Sequence, residues 1–81
     1  MHTATILVAD DDAVARELLA DALRQEGYAV EAFASGEEVI ARGREGRVDL
    51  VLTDIRMGAV DGLTVLREFK RMSPDTAVVV L

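Results

Sequence analysis

Two apolar runs of this chain end in acid. Thr5-Ile6-Leu7-Val8-Ala9 leads into Asp10-Asp11-Asp12, and Val48-Asp49-Leu50-Val51-Leu52-Thr53 leads into Asp54. Two carboxylates about 4 Å apart repel by roughly 4 kcal/mol at an effective dielectric of about 20, so a cluster of them needs a positive charge in its midst. The chain has no cysteine and a single histidine, which leaves oxygen ligands and favours a hard cation. A few carboxylates completed by water suit octahedral Mg²⁺ better than a closed Ca²⁺ cage. Bound that way, Mg²⁺ bridges carboxylates to phosphoryl oxygens, and a carboxylate beside it can serve as the nucleophile.

The elements that must position these acids follow from apolar periodicity. Short β-branched runs read as buried strands of a parallel sheet, whose carboxyl ends are the ligand-binding edge of an open α/β fold. After the first strand, Asp12 is placed to cap a helix from Ala13 to Glu26, with Val14, Leu18, Ala22, Leu19 and Leu23 at helical spacing and Gly27 ending it. Tyr28 to Phe33 reads as a second strand. Ser35-Gly36-Glu37-Glu38 is a capping box for a short helix carrying Val39 and Ile40, weakened and ended by Gly43 and Gly46. A third strand spans Asp49 to Thr53, and Asp61 caps a helix with Leu63, Leu66, Phe69 and Met72, stopped at Ser73-Pro74-Asp75. Thr76 to Leu81 reads as a fourth strand. The order βαβαβαβ implies a parallel sheet with right-handed crossovers. Asp10, Asp11 and Asp54 converge only if the first and third strands are neighbours, as they are in a 2-1-3-4 order.

Composition narrows the function classes. With 81 residues the chain is at most one small domain, burying roughly 60 to 65% of its unfolded surface. Its 51% hydrophobic and 30% charged residues are ordinary for a globular protein, and no run is long enough to span a membrane. A formal charge of −6 without a basic patch argues against direct nucleic-acid binding. The absence of a signal segment and of cysteine points to a cytoplasmic location. The chain stops on an apolar strand, which suggests a fragment of a longer domain and predicts that Val78, Val80 and their neighbours are bare, with self-association through the exposed fourth strand.

Several acids and bases have simpler readings. Asp12 and Asp61 are helix caps, Asp49 is a surface residue at a strand start, and Glu37-Glu38 belong to a helix terminus. Arg16, Arg24, Arg42, Arg44 and Arg67 read as solvated helix faces. His2 sits near the terminus and reads as chemically silent.

The sequence resembles the receiver domain of bacterial two-component response regulators over its whole length. The resemblance rests on Ile6-Leu7-Val8-Ala9-Asp10-Asp11-Asp12, Gly27-Tyr28, Phe33, Ser35-Gly36-Glu37-Glu38, Asp49-Leu50-Val51-Leu52-Thr53-Asp54-Ile55-Arg56-Met57 and Asp61-Gly62-Leu63. It implies a flavodoxin-like, doubly wound α/β fold with strand order 2-1-3-4(-5), of which residues 1–81 hold the first four strands and three helices. It further implies that Asp54 is the phosphoacceptor and that Asp10, Asp11, Asp54 and the backbone carbonyl of Arg56 hold Mg²⁺, Asp10 largely through water. The phosphoryl donor would be a sensor histidine kinase. The domain would promote its own phosphorylation and dephosphorylation as a switch, not as an enzyme. Thr53-Asp54-Ile55-Arg56-Met57 looks like receivers of sigma-54-dependent transcription activators, whose output domain this chain lacks.

The sequence departs from the family pattern in two places. Gly58 stands where the family usually has proline, which frees φ in the loop beside Asp54. The family's Ser/Thr after the fourth strand, its lysine and its switch aromatic would lie beyond Leu81. Two other readings compete. Asp10-Asp11-Asp12-Ala13-Val14 fits the D-x-D-x-[TV] pattern of haloacid-dehalogenase-like, Mg²⁺-dependent phosphatases, with Asp10 as nucleophile and Asp12 as acid/base. The same fold could also serve as an interaction module that is never phosphorylated.

Overall fold

The computed structural model describes residues 3–81, so His2 lies outside the described residues. Four strands form one parallel sheet: β1 (Thr5–Ala9), β2 (Ala29–Phe33), β3 (Leu50–Thr53) and β4 (Ala77–Val80), in the order β2-β1-β3-β4. Three helices connect them: α1 (Ala13–Gln25), α2 (Gly36–Gly43) and α3 (Gly62–Met72). The chain steps to one side of β1 to make β2, then crosses back to make β3 and β4. Crossovers of one hand then place α1 on one face of the sheet and α2 with α3 on the other. The packing agrees, since α1 lies against β1 and β2 while α2 and α3 pack on each other.

Strand alternation divides the apolar residues between the faces. Leu7, Ala9 and Val51 point toward α2 and α3, where they join Val39, Ile40, Val48, Met57, Val65 and Phe69 in the buried core. Ile6 and Val8 face α1 and are equally buried. The register pairs Leu7 with Val51 and Ala9 with Thr53, which levels the carboxyl ends of β1 and β3.

The caps form as the sequence predicts. Asp12 accepts from the Val14 and Ala15 amides, Asp61 from the Thr64 amide, and Ser35 from the Glu38 amide. The capping box differs in one detail: the Glu38 carboxylate takes the Ser35 hydroxyl (3.1 Å). Gly27 has φ +97°, as the helix end requires.

Three expectations about the surface are corrected. Val14 and Leu18 do not form the buried stripe of α1; they are 70% and 69% exposed, and Ala20 is the helix's buried residue. On β4 the bare residues are Ala77 and Val79, not Val78, because alternation turns Val78 toward the core cluster and leaves the other two on the α1 side, beyond that helix's reach. Val80 is half-buried on the same side as Val78. Arg42 is not a solvated arginine. Its guanidinium reaches Glu31 on β2 (2.9 and 3.0 Å) and the Gly46 carbonyl (2.8 Å), and the Glu31 hydrogen bond is the main cause that raises its pKa above the ordinary value.

Candidate metal and phosphoryl site

Backbone pairing runs one residue past the ends of β1 and β3. The Asp54 amide donates to the Ala9 carbonyl (2.9 Å), and the Asp10 amide donates to the Phe33 carbonyl at the end of β2 (3.1 Å). Pairing therefore persists to the point where the acids begin. Asp10, Asp11 and Asp54 each offer a carboxylate oxygen, and these lie within 4.8 Å of one another. Asp10 and Asp54 are half-buried and Asp11 is exposed, so the cluster opens to solvent.

The turn after β1 is shaped by its own hydrogen bonds. Asp10 Oδ1 accepts from the Asp12 amide (2.9 Å), and Asp12 Oδ1 caps α1 through Val14 (2.9 Å) and Ala15 (3.3 Å). Asp12 is thereby engaged as a cap, in keeping with its position directly before the helix. The residue that sequence reasoning missed is Arg16. Only 18% of its side chain is exposed, and its guanidinium donates to the Asp10 carbonyl (3.0 Å). Two facts of the sequence bear on this: Arg16 lies in the first turn of α1, and helical side chains lean toward the amino terminus, here toward Asp10.

The loop after β3 is held from beneath. Thr53 is fully buried, and its hydroxyl donates to the Asp54 carbonyl (3.0 Å) and lies 3.8 Å from Met57 Sδ. Gly62 opens α3 against this segment: its amide donates to the Ile55 carbonyl (3.0 Å), and a Cβ there would stand 2.4 Å from the Asp54 carbonyl oxygen. The Asp-Gly pair is thus cap and spacer together. Arg56 is exposed, in the irregular segment two residues past Asp54. Gly58 has φ +82°, a conformation closed to proline, whose ring fixes φ near about −65°. The loop uses the freedom its glycine confers.

The chain matches the family model for the response regulator receiver domain over residues 6–81. It belongs to that receiver family. ResD, a transcriptional regulatory protein of Bacillus subtilis, is 43% identical over 65 residues, covering 80% of this chain and 27% of ResD. ZraR, a transcriptional regulatory protein of Salmonella typhimurium, is 40% identical over 76 residues, covering 94% of this chain and 17% of ZraR. The chain thus spans about a quarter or less of these relatives' length. Among solved structures, the response regulator TrrA of Thermotoga maritima, in complex with Mg²⁺ and a beryllium fluoride, superposes with a TM-score of 0.90 at 36% identity, covering 96% of this chain and 68% of that one.

The flavodoxin-like order and the family match agree with the expected fold and leave the haloacid-dehalogenase reading without support. No helix among the described residues is long and apolar enough to cross a membrane.

Proposed function

We propose that this receiver accepts a phosphoryl group on Asp54, with Mg²⁺ held by Asp10, Asp11, Asp54 and the Arg56 backbone carbonyl. The observation that carries this reading is the convergence of Asp10, Asp11 and Asp54 at the ends of adjacent strands, within 4.8 Å, in a chain of the receiver family. Three oxygen donors at that spacing fit a hard divalent cation. When bound, Mg²⁺ would neutralise the clustered carboxylates and the charge on a transferring phosphoryl group.

The chain's own residues do the rest. A carboxylate oxygen of Asp54 forms a bond to phosphorus as the bond from phosphorus to the donor's imidazole nitrogen breaks, and that nitrogen keeps the electron pair. The product is an acyl phosphate on Asp54 and a free histidine on the donor. Thr53 and Gly62 fix the Asp54 main chain, so the nucleophile needs little reorganisation. Asp10 and Asp11 hold the opposite wall.

The donor in this reading is the phosphohistidine of a sensor kinase, and the role is that of a cytoplasmic switch, not of an enzyme acting on metabolites. The similarity to transcriptional regulators supports an attached transcriptional output, of the sigma-54 activator kind by the Thr53 to Met57 motif, with the receiver itself not binding nucleic acid. Association of two copies along the β4 edge belongs to the same reading, supported by the exposed Val79.

Incubation with acetyl phosphate and Mg²⁺ should add one phosphoryl group, and Asp54→Ala should abolish it. Labelling that persists in Asp54→Ala and maps to Asp10 would favour the phosphatase chemistry instead. No labelling under conditions that phosphorylate other receivers would favour the interaction module.

A further inference from the structure

We propose that Arg16 is a positioning residue of the acidic site, holding the turn Asp10 to Asp12 in the shape that receives the cation; this rests on the reading of Asp10, Asp11 and Asp54 as the Mg²⁺ site. Three acids within 4.8 Å repel one another, and the turn that carries two of them must be kept closed before any ion arrives. The Asp10 side chain is fixed by the Asp12 amide and the Asp10 amide by the Phe33 carbonyl. The carbonyl of Asp10 is fixed by Arg16, which folds back from the first turn of α1 to donate to it at 3.0 Å.

The choice of acceptor is what gives this bond its meaning. A guanidinium bonded to one of the site carboxylates would compete with a metal for the same oxygen. Arg16 bonds to a main-chain oxygen, so it steadies the ligand-bearing turn and still places a positive charge beside the acids. Its nearest acidic side chain is Glu17, at 3.8 Å and 57% exposed, too loose a pair to account for a side chain so well covered.

Positioning and simple electrostatics predict opposite signs. Arg16→Met keeps most of the length and removes both charge and donors. If Arg16 acted through charge alone, its loss would strengthen Mg²⁺ binding, because one repelling cation is gone. If it holds the turn, its loss should weaken Mg²⁺ binding by about tenfold, the scale on which partners of metal-ligating groups act.

The experiment is a Mg²⁺ titration of the parent, Arg16→Met and Arg16→Lys, followed by amide shifts, with thermal unfolding of each variant in chelator. The expected result is weaker binding in Arg16→Met, partial recovery in Arg16→Lys, and a displaced Asp12 amide resonance in Arg16→Met before any metal is added. Tighter or unchanged binding in Arg16→Met would overturn the proposal. Should Arg16→Met not fold, Arg16→Gln takes its place: Mg²⁺ binding weaker than the parent's with a displaced Asp12 amide upholds the role, and parent-like or tighter binding refutes it. A parent that shows no Mg²⁺ response at Asp10, Asp11 and Asp54 refutes the metal site itself, whereas a responsive parent with an equally responsive Arg16→Met refutes only the part given to Arg16.

Discussion

The two faces of the sheet are built to different standards. On the α2 and α3 side, Leu7, Val39, Val51, Val65 and Phe69 are all fully buried, and the helices meet so closely that a Cβ on Gly43 would stand 2.4 Å from the Phe69 ring. On the α1 side, Ile6, Val8 and Ala20 are buried, but Val14 and Leu18 stand about 70% exposed and Val79 is 43% exposed. The first face supplies the stability that holds β1 and β3 in register. The second carries the turn and the arginine that shape the acidic site. The candidate site joins the two, taking the Asp10 to Asp12 turn from the lightly packed side and the Asp54 loop from the rigid one.

The largest effect should come from the tight face. Phe69→Ala would leave a cavity where the ring now meets Gly43 and should cost about 3 to 5 kcal/mol, much of the stability of so small a domain. Chemical denaturation would measure it. A loss under about 1 kcal/mol would mean that α2 and α3 are not the anchor.

Gly62 links that anchor to the site. In Gly62→Ala the new Cβ meets backbone, the Asp54 carbonyl, and not the yielding end of a side chain. The loop must shift, and phosphorylation by acetyl phosphate should slow on the order of 10- to 100-fold through misplacement of Asp54. Gly58 sits in the same loop but meets open space, so Gly58→Ala suffers only its φ of +82° and should cost about 1 kcal/mol with phosphorylation little changed. Equal damage to phosphorylation from both substitutions would show that conformational freedom, and not close packing, positions Asp54.

Much of this was legible in the sequence, and the remainder was not for definable reasons. Strands, caps and the acid pair are signalled by neighbouring residues: Asp12 precedes its helix, Ser35 its own, and the β1 and β3 runs end in their acids. The bond from Arg42 to Glu31 joins residues brought together only by the packing of α2 against β2, and no local pattern announces it. Gly43 reads as a helix breaker in sequence, yet its place is set by the Phe69 ring. Val14 and Leu18 have helical spacing but lack a covering surface, which periodicity cannot report. Arg16 looked like any exposed arginine because its acceptor is a main-chain oxygen, which the residue letters do not show.

Acid should loosen the α3 end of the molecule. Asp61 is held below the ordinary carboxylate range first by the Thr64 amide and then by the Thr64 hydroxyl, and Glu68 is held low chiefly by its hydrogen bond to Arg71. For groups whose folded pKa is depressed, the stabilisation is present above the unfolded pKa and is lost as pH falls through the folded one. Thermal unfolding should therefore occur at progressively lower temperature below about pH 4, and Asp61→Asn should flatten that dependence. An unchanged acid profile in Asp61→Asn would move the effect to other carboxylates.

The smallest effect tests the light face directly. Leu18 is a large apolar residue at helical spacing from Val14, and by sequence alone its truncation would be costly. Its 69% exposure says otherwise: few contacts exist to lose, and no cavity forms because solvent already occupies the space. Leu18→Ala should change stability by no more than about 0.5 kcal/mol, with alanine's helix propensity offsetting part of the lost burial. Denaturation of the 81-residue chain at two protein concentrations gives the sharper reading. A small, concentration-independent change means that α1 shows this face to water. A loss of 2 kcal/mol or more, on the order of a fully buried leucine, would mean that Leu18 is covered in solution by a surface outside the described fold. If that loss also grew with concentration, the cover would be a second copy of the chain.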